Sequence, residues 1–250
     1  TMVLRPAIAV DGGYDSNATR SALAPKSSAF YRTEAELTGK SDWAQHQLDL
    51  TLRGAFTGYT AVNNANRPEG DARIALRLDV TRELVVDSTL TAKIDTENST
   101  SVNLPGGTTG RTPYYQTGLA LGATRSFGRL SLSLRGTLDR LMYGDASVAT
   151  GTVSQIGRDY NTYGLRLRTG YEITPGIQPF VEVGTDQRIH DVGTDSSGYR
   201  RDSFGMIARV GSSFELARTL TGSRPRHKVV AFCWPKRQGK STASAAILEE

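Results

Sequence analysis

The chain has 250 residues, 38% of them hydrophobic, and 30 Lys+Arg against 25 Asp+Glu give a net charge of +5. No window approaches the ~18 consecutive apolar residues of a membrane-spanning helix, which excludes a helical membrane protein. One cysteine, Cys233, excludes a disulfide framework and a Cys-rich zinc site. His46, His190 and His227 share no ligand spacing, so neither a metal nor another cofactor is expected.

The charge is unevenly placed. Residues 222–250 hold Arg224, Arg226, Lys228, Lys236, Arg237 and Lys240 against Glu249 and Glu250, a net +4, which leaves +1 for residues 1–221. The basicity belongs to the tail, so nucleic-acid binding is not expected of the body.

Taken in order, the body reads as strands. Alternation of period two recurs over residues 5–216. Leu48, Leu50, Leu52 and Phe56 alternate with Gln47, Asp49, Thr51 and Arg53, and Ile74, Leu76, Leu78 and Val80 with Arg73, Arg77 and Asp79. Leu130, Leu132, Leu134 and Leu138 alternate with Ser131, Ser133, Arg135 and Asp139, and Tyr163, Leu165, Leu167 and Tyr171 with Arg166 and Arg168. Roughly ten such segments can be counted, many longer than the usual soluble strand of about 5–6 residues. Tight links near 39–43, 82–84, 127–128 and 174–176 alternate with long polar stretches at 16–28, 61–70, 98–111, 144–160 and 192–199. That arrangement suits an all-β, antiparallel, up-and-down transmembrane barrel with short turns at one end and long loops at the other. A soluble antiparallel sandwich, including one that binds carbohydrate, remains the competing reading.

Three stretches carry a resemblance. The opening Arg5-Pro6-Ala7-Ile8-Ala9-Val10-Asp11-Gly12-Gly13-Tyr14-Asp15-Ser16-Asn17 resembles the first strand of the outer-membrane β-barrel porin family. The run Tyr171-Glu172-Ile173-Thr174-Pro175-Gly176-Ile177-Gln178-Pro179-Phe180-Val181-Glu182-Val183-Gly184 is similar to a periplasmic turn and upward strand of those proteins. Arg201-Asp202-Ser203-Phe204-Gly205, Gly211 and Leu220-Thr221-Gly222 resemble their next downward strand and turn. The resemblance covers roughly residues 3–222 and implies an outer-membrane location, lipid and small polar solutes as partners, and a passage or envelope-scaffold role with no catalytic residues. Two departures are expected to matter: no export signal opens the chain, and no last strand ends in a terminal aromatic. The barrel is therefore expected to be about ten strands and truncated, with its closure open.

Residues 222–250 read as a different object. An apolar run at 228–234, the loop Pro235-Lys236-Arg237-Gln238-Gly239-Lys240-Ser241-Thr242 and an Ala-rich helical start follow the order of a phosphate-binding loop. There Gly239 and the helix N-terminus would cradle phosphates, Lys240 reach them and Ser241 hold Mg²⁺. The segment resembles the opening of phage terminase large-subunit ATPases, yet Trp234 stands where the first glycine belongs and no Walker-B strand follows. A foreign or partial phosphate-loop segment joined near Gly222 is the expectation, with an ordinary basic C-terminal extension the alternative.

In a barrel, the polar face makes Arg53, Arg77, Arg135, Asp139, Arg166, Arg168, Glu182, Asp186, Arg188 and Arg209 candidate pore-lining residues. Arg166, Arg168, Arg188 and Arg209 could bias a pore toward anions, with neutralisation by neighbouring carboxylates the alternative. Tyr14, Tyr31, Tyr59, Tyr114, Tyr115, Tyr143 and Tyr163 near strand ends suit an interfacial girdle. The His190-Asp191 pair, with Asp186 before it and Asp139 or Asp145 opposite, is the one candidate for rim hydrolysis; a loop histidine among solvent carboxylates is the plainer reading. No enzyme activity is expected.

Overall fold

The structure, a computed structural model, describes residues 1–22, 24–195 and 197–214, and two further strands at 228–233 and 244–247. Ten long strands carry it: β1 (Met2–Asp15), β2 (Ser28–Ser41), β3 (His46–Tyr59), β4 (Arg67–Asp79), β5 (Leu84–Glu97), β6 (Thr112–Phe127), β7 (Leu130–Tyr143), β10 (Tyr160–Tyr171), β11 (Ile177–His190) and β12 (Ser203–Phe214). A small hairpin, β8 (Ala146–Val148) and β9 (Gly151–Val153), interrupts the long connection after β7. The ten pair antiparallel in chain order within one continuous sheet, so the architecture is not a sandwich of two stacked sheets. Their lengths of 12 to 16 residues suit a tilted crossing of hydrocarbon.

Cross-strand register turns the sequence alternation into two unlike faces. One ladder row runs Leu50, Ile74, Leu90, Leu119, Leu138, Tyr163 across six strands. The adjacent row, one residue along each strand, runs Thr51, Arg73, Thr91, Gly118, Asp139, Thr162. On the apolar face Leu90 is 49% exposed, Leu121 52% and Met206 80%. In water so wide an apolar surface would drive association, whereas lipid chains cover it without penalty.

Aromatic side chains edge that face. Tyr31, Tyr115, Tyr163 and Phe204 lie toward the long-loop end, and Phe127, Tyr171 and Phe214 toward the short-turn end. From Phe204 to Phe214 the strand rises roughly 33 Å, or roughly 25 Å along the membrane normal at a tilt of about 40°, the height of a barrel's apolar band. Three of the tyrosines expected in the girdle fall on the polar face instead. Tyr59 packs 5.8 Å from Phe30, and Tyr114 lies 6.0 Å from Tyr143 and bonds the Asp95 carboxylate at 3.2 Å. A single position decides the face, so nearness to a strand end is not enough.

The short turns are chemically specified. Thr174, Pro175, Gly176 and Ile177 close through Ile177 N–H to Thr174 O at 2.9 Å, with Pro175 setting φ and Gly176 at φ +86, the requirements of a type II turn. Gly128, at φ +61, is the first of the two residues joining β6 to β7. β4 begins earlier than the loop pattern predicts, at Arg67. Residues 67–69 pair with β3 alone, so the missing N–H of Pro68 leaves no gap in the β4–β5 ladder.

The long loops are stitched to one another. Asn64 donates to Thr109 O at 2.5 Å, and Thr109 N–H to Ser147 O at 2.8 Å. Arg158 pairs with Glu97 at 2.8 Å, and Arg201 donates to Gly157 O. A small buried cluster of Ala18, Tyr59, Val62 and Ala65 ties the first two loops together. The result is a continuous collar at one end of the sheet.

Two findings concern the edges, and the first is a correction. After β12 come β13 (Lys228–Cys233) and β14 (Ser244–Ile247), which extend the same sheet. The Ala-rich stretch expected to open a helix is thus a strand at 244–247. Pairing with β13 bonds its backbone groups at once, whereas a single helical turn must be nucleated at a net cost. At the other side β1 pairs only with β2, so the sheet is not closed among the described residues.

The face assignment predicts an asymmetry at the centre of β6. Leu121→Arg, on the apolar face, should cost about 2–4 kcal/mol, and Ala120→Arg, on the polar face, less than about 1 kcal/mol. Equilibrium unfolding of each variant from lipid vesicles measures both.

Candidate functional site

The functional candidate is the polar face itself. All ten residues expected along a lumen, from Arg53 to Arg209, share that face by register. The structure also supplies their partners. Arg53 reaches Glu34 at 3.3 Å and Asp71 at 3.9 Å, Arg77 reaches Asp79 at 3.0 Å, and Arg135 reaches Asp87 at 2.6 Å. Arg166 binds Asp186 at 2.5 Å, and Arg209 binds Glu182 at 2.9 Å. Arg168 and Arg188 instead lie over aromatic rings, Phe180 at 3.6 Å and Tyr160 at 4.6 Å. Asp139 has no ion-pair partner among the described residues. Of the four arginines that could favour anions, two are thus neutralised by carboxylates and two are held on ring faces.

Glycine makes several of these contacts reachable. Asp87, Gly122 and Arg135 occupy one ladder row on three successive strands. Neighbouring strands lie about 4.8 Å apart, so Asp87 must cross the middle strand to reach Arg135. It does so by lying flat over Gly122, where any Cβ would strike its carboxylate. Gly184 likewise accommodates Arg166, and Gly211 lies under the ring of Phe180.

Further residues beside the ten pore-lining candidates complete the face, and the alternation already puts Arg32, Glu34, Lys93 and Asp95 there. Arg32 joins Glu34 at 3.1 Å and also Glu69, Arg67 joins Glu69 at 2.9 Å, and Lys93 joins Asp95 at 3.3 Å. Arg67 and Glu69 were hidden because 61–70 reads as loop; carrying the parity of Ile74 backward would have found them. Cations and carboxylates come close to balance over the whole face.

Around the rim histidine the neighbouring carboxylates have other partners. His190 Nδ1 lies 3.7 Å from Asp202 Oδ1, beyond hydrogen-bond range, and Asp186 is engaged by Arg166. Asp191 is taken by Arg140, whose two amino groups donate to its carboxylate at 2.5 and 2.6 Å. Gly239, Lys240 and Ser241, the phosphate-loop candidates, lie outside the described residues.

A ten-stranded antiparallel sheet with an apolar, aromatic-edged face and a charged, internally paired face is a barrel wall. The family model for "Putative beta-barrel porin 2" matches residues 1–224. The chain belongs to this β-barrel porin family. Among curated proteins and among solved structures nothing matches the chain. The family match ends close to Gly222, where the composition changes.

Two predictions arise from this geometry. Asp87 and Arg135 are both partly exposed, so a double-mutant cycle to Ala should give a coupling of only about 0.2–1 kcal/mol, and in a Gly122→Val background the coupling should vanish. At the rim, Arg140 holds the Asp191 carboxyl below its ordinary pKa through its hydrogen bonds. The folded pKa is depressed, so this anchorage is present above the ordinary carboxylate range and lost as pH falls through the lowered value. Protease nicking of segment 191–202 should therefore begin only in acid, and Arg140→Ala should admit it at neutral pH.

Proposed function

We propose that the protein lies in an outer membrane and passes small polar solutes across it. The observation that carries this reading is the two-faced sheet: ten membrane-length strands present one apolar, lipid-compatible face and one face crowded with paired charges. Paired charges in near balance suit water-filled passage with weak ion selectivity rather than a strongly charged filter. Belonging to a porin family supports the reading and argues against an enzyme.

Passage requires closure, because lipid cannot satisfy an open strand edge. β1 and β12 run in opposite directions in the sheet order, so they have the polarity for antiparallel pairing once the short β13 gives up its place beside β12. The segment from residue 222 onward is proposed to be separate from the conducting barrel.

Planar-bilayer recording on the full chain and on residues 1–221 tests this reading. Stepwise conductance of similar size from both, with a reversal potential near zero in a salt gradient, is expected. Refolded, vesicle-inserted protein that never conducts would leave a structural envelope role.

A further inference from the structure

The strands at the open margins of the sheet are unevenly covered. β1 is bonded along its 14 residues on one side only, and Ile8 on its apolar face is 82% exposed. β12 is bonded to β11 over its whole length, Ser203–Phe214, but on its other side β13 meets it only at Arg209, Ser212, Ser213 and Phe214. Residues 203–208, the long-loop half, have no strand on that side among the described residues, and Phe204 there is 65% exposed. β13 is in turn paired with β14 at four positions, and β14 ends the sheet.

This arrangement suits water and not hydrocarbon. In water the uncovered edges are hydrated, and a strand tethered to the same chain holds its place through four paired positions because its effective concentration is high. In hydrocarbon every bare N–H and C=O is costly. β13 cannot cover β12, having six residues against twelve. β1, with 14 residues and the opposite direction, can cover β12 from end to end and complete its own edge in the same step. One exchange gives up four paired positions and removes the two longest bare edges.

We propose that β13 is a displaceable cap on the closing edge: it occupies the short-turn half of β12 before the protein enters the membrane, and β1 replaces it as the barrel closes. The geometry sets the order of events. β1 runs from Met2 at the short-turn end to Asp15 at the long-loop end, so its Asp15 end meets the bare half of β12 first. Pairing then advances toward Phe214 and lifts β13 away from Arg209 onward. Until then the cap keeps the half-strand it covers from bonding to another copy of the chain, the hazard of an open edge. The inference concerns assembly of the barrel in the passage reading and rests on that reading; once displaced, the tail is no part of the wall.

The test locks the cap in place. In the full chain carrying Cys233→Ser, the substitutions Ser212→Cys and Val230→Cys put two thiols directly opposite each other in the β12–β13 register, at a separation that a disulfide can span. The protein is oxidised in dilute, lipid-free buffer and then given lipid vesicles. Intact mass reports the cross-link, and the compact, SDS-resistant band of unheated samples reports the closed barrel. Cross-linked protein should lose that band, and reductant should restore it. Val230→Pro, which removes a bonding N–H from the middle of β13, should close severalfold faster than wild type. Thiols that never join in lipid-free buffer, or cross-linked protein that closes as the reduced form does, would overturn the proposal. If the double-cysteine chain fails to close even when reduced, Val230→Pro decides, and closure no faster than wild type overturns the cap. Bilayer recording separates the two readings. Closure that depends on reductant but gives no conductance defeats passage and leaves the cap standing, whereas conductance from cross-linked protein defeats the cap and leaves passage standing.

Discussion

The constraint on which this structure depends is that backbone N–H and C=O groups in hydrocarbon must bond to one another, since no water is there to replace a lost partner. Long strands in an unbroken antiparallel order answer it, and every other feature follows the ladder they create. Strand length is set by the thickness to be crossed. Irregular backbone is confined to the ends, where turns such as residues 174–177 reverse the chain through their own backbone hydrogen bonds. Proline is tolerated only where a ladder is absent: Pro68 sits in the part of β4 that has a neighbour on one side alone. The same constraint makes the free edge of β1 the most consequential feature of the sheet, because that edge is where bonding remains to be completed.

Once the ladder exists, the two faces obey opposite rules. The outward side chains require no specificity, and Leu, Ile and Val repeat with little variation. The inward ones must neutralise each other on a concave wall, and residue size then matters as much as charge. Asp87 finds Arg135 across an intervening strand only because Gly122 leaves the surface flat between them. Strand glycines lower local stability, but here they let charges pair over two strand widths. The wall is thereby covered largely with charged groups that are paired and still partly exposed.

The loop collar adds a third layer. Hydrogen bonds and ion pairs run from one long loop to the next, so the mouth is shaped by contacts between segments far apart in sequence. Arg140 shows how the layers meet. It lies on the apolar face near the end of β7, extends its stem along that surface and delivers its charge to Asp191 at the rim. Arg111 belongs to the same zone, carried in by a loop and placed against the start of β4.

Much of the wall was written in the alternation of residue types. The run from Leu130 to Asp139 needs only the two-residue period of a strand to place leucines on one side and Arg135 and Asp139 on the other, and the spacing of polar stretches sets the strand order when neighbours pair in sequence. Period and turn chemistry are local, so the sequence by itself determined strands, faces and which charged residues share the inward side. Pairing across strands is not local. That Asp87 meets Arg135, that Arg168 rests on Phe180 rather than on a carboxylate, and that Tyr59 and Tyr114 turn inward all depend on register, which one residue of slip would reverse. The cavity at the long-loop mouth is further still from the sequence, because Arg20, Arg32 and Arg67, which line it, come from three segments that only the folded sheet and its loops bring together. Periodicity reports the environment of each residue; only the folded sheet and its collar decide its partner.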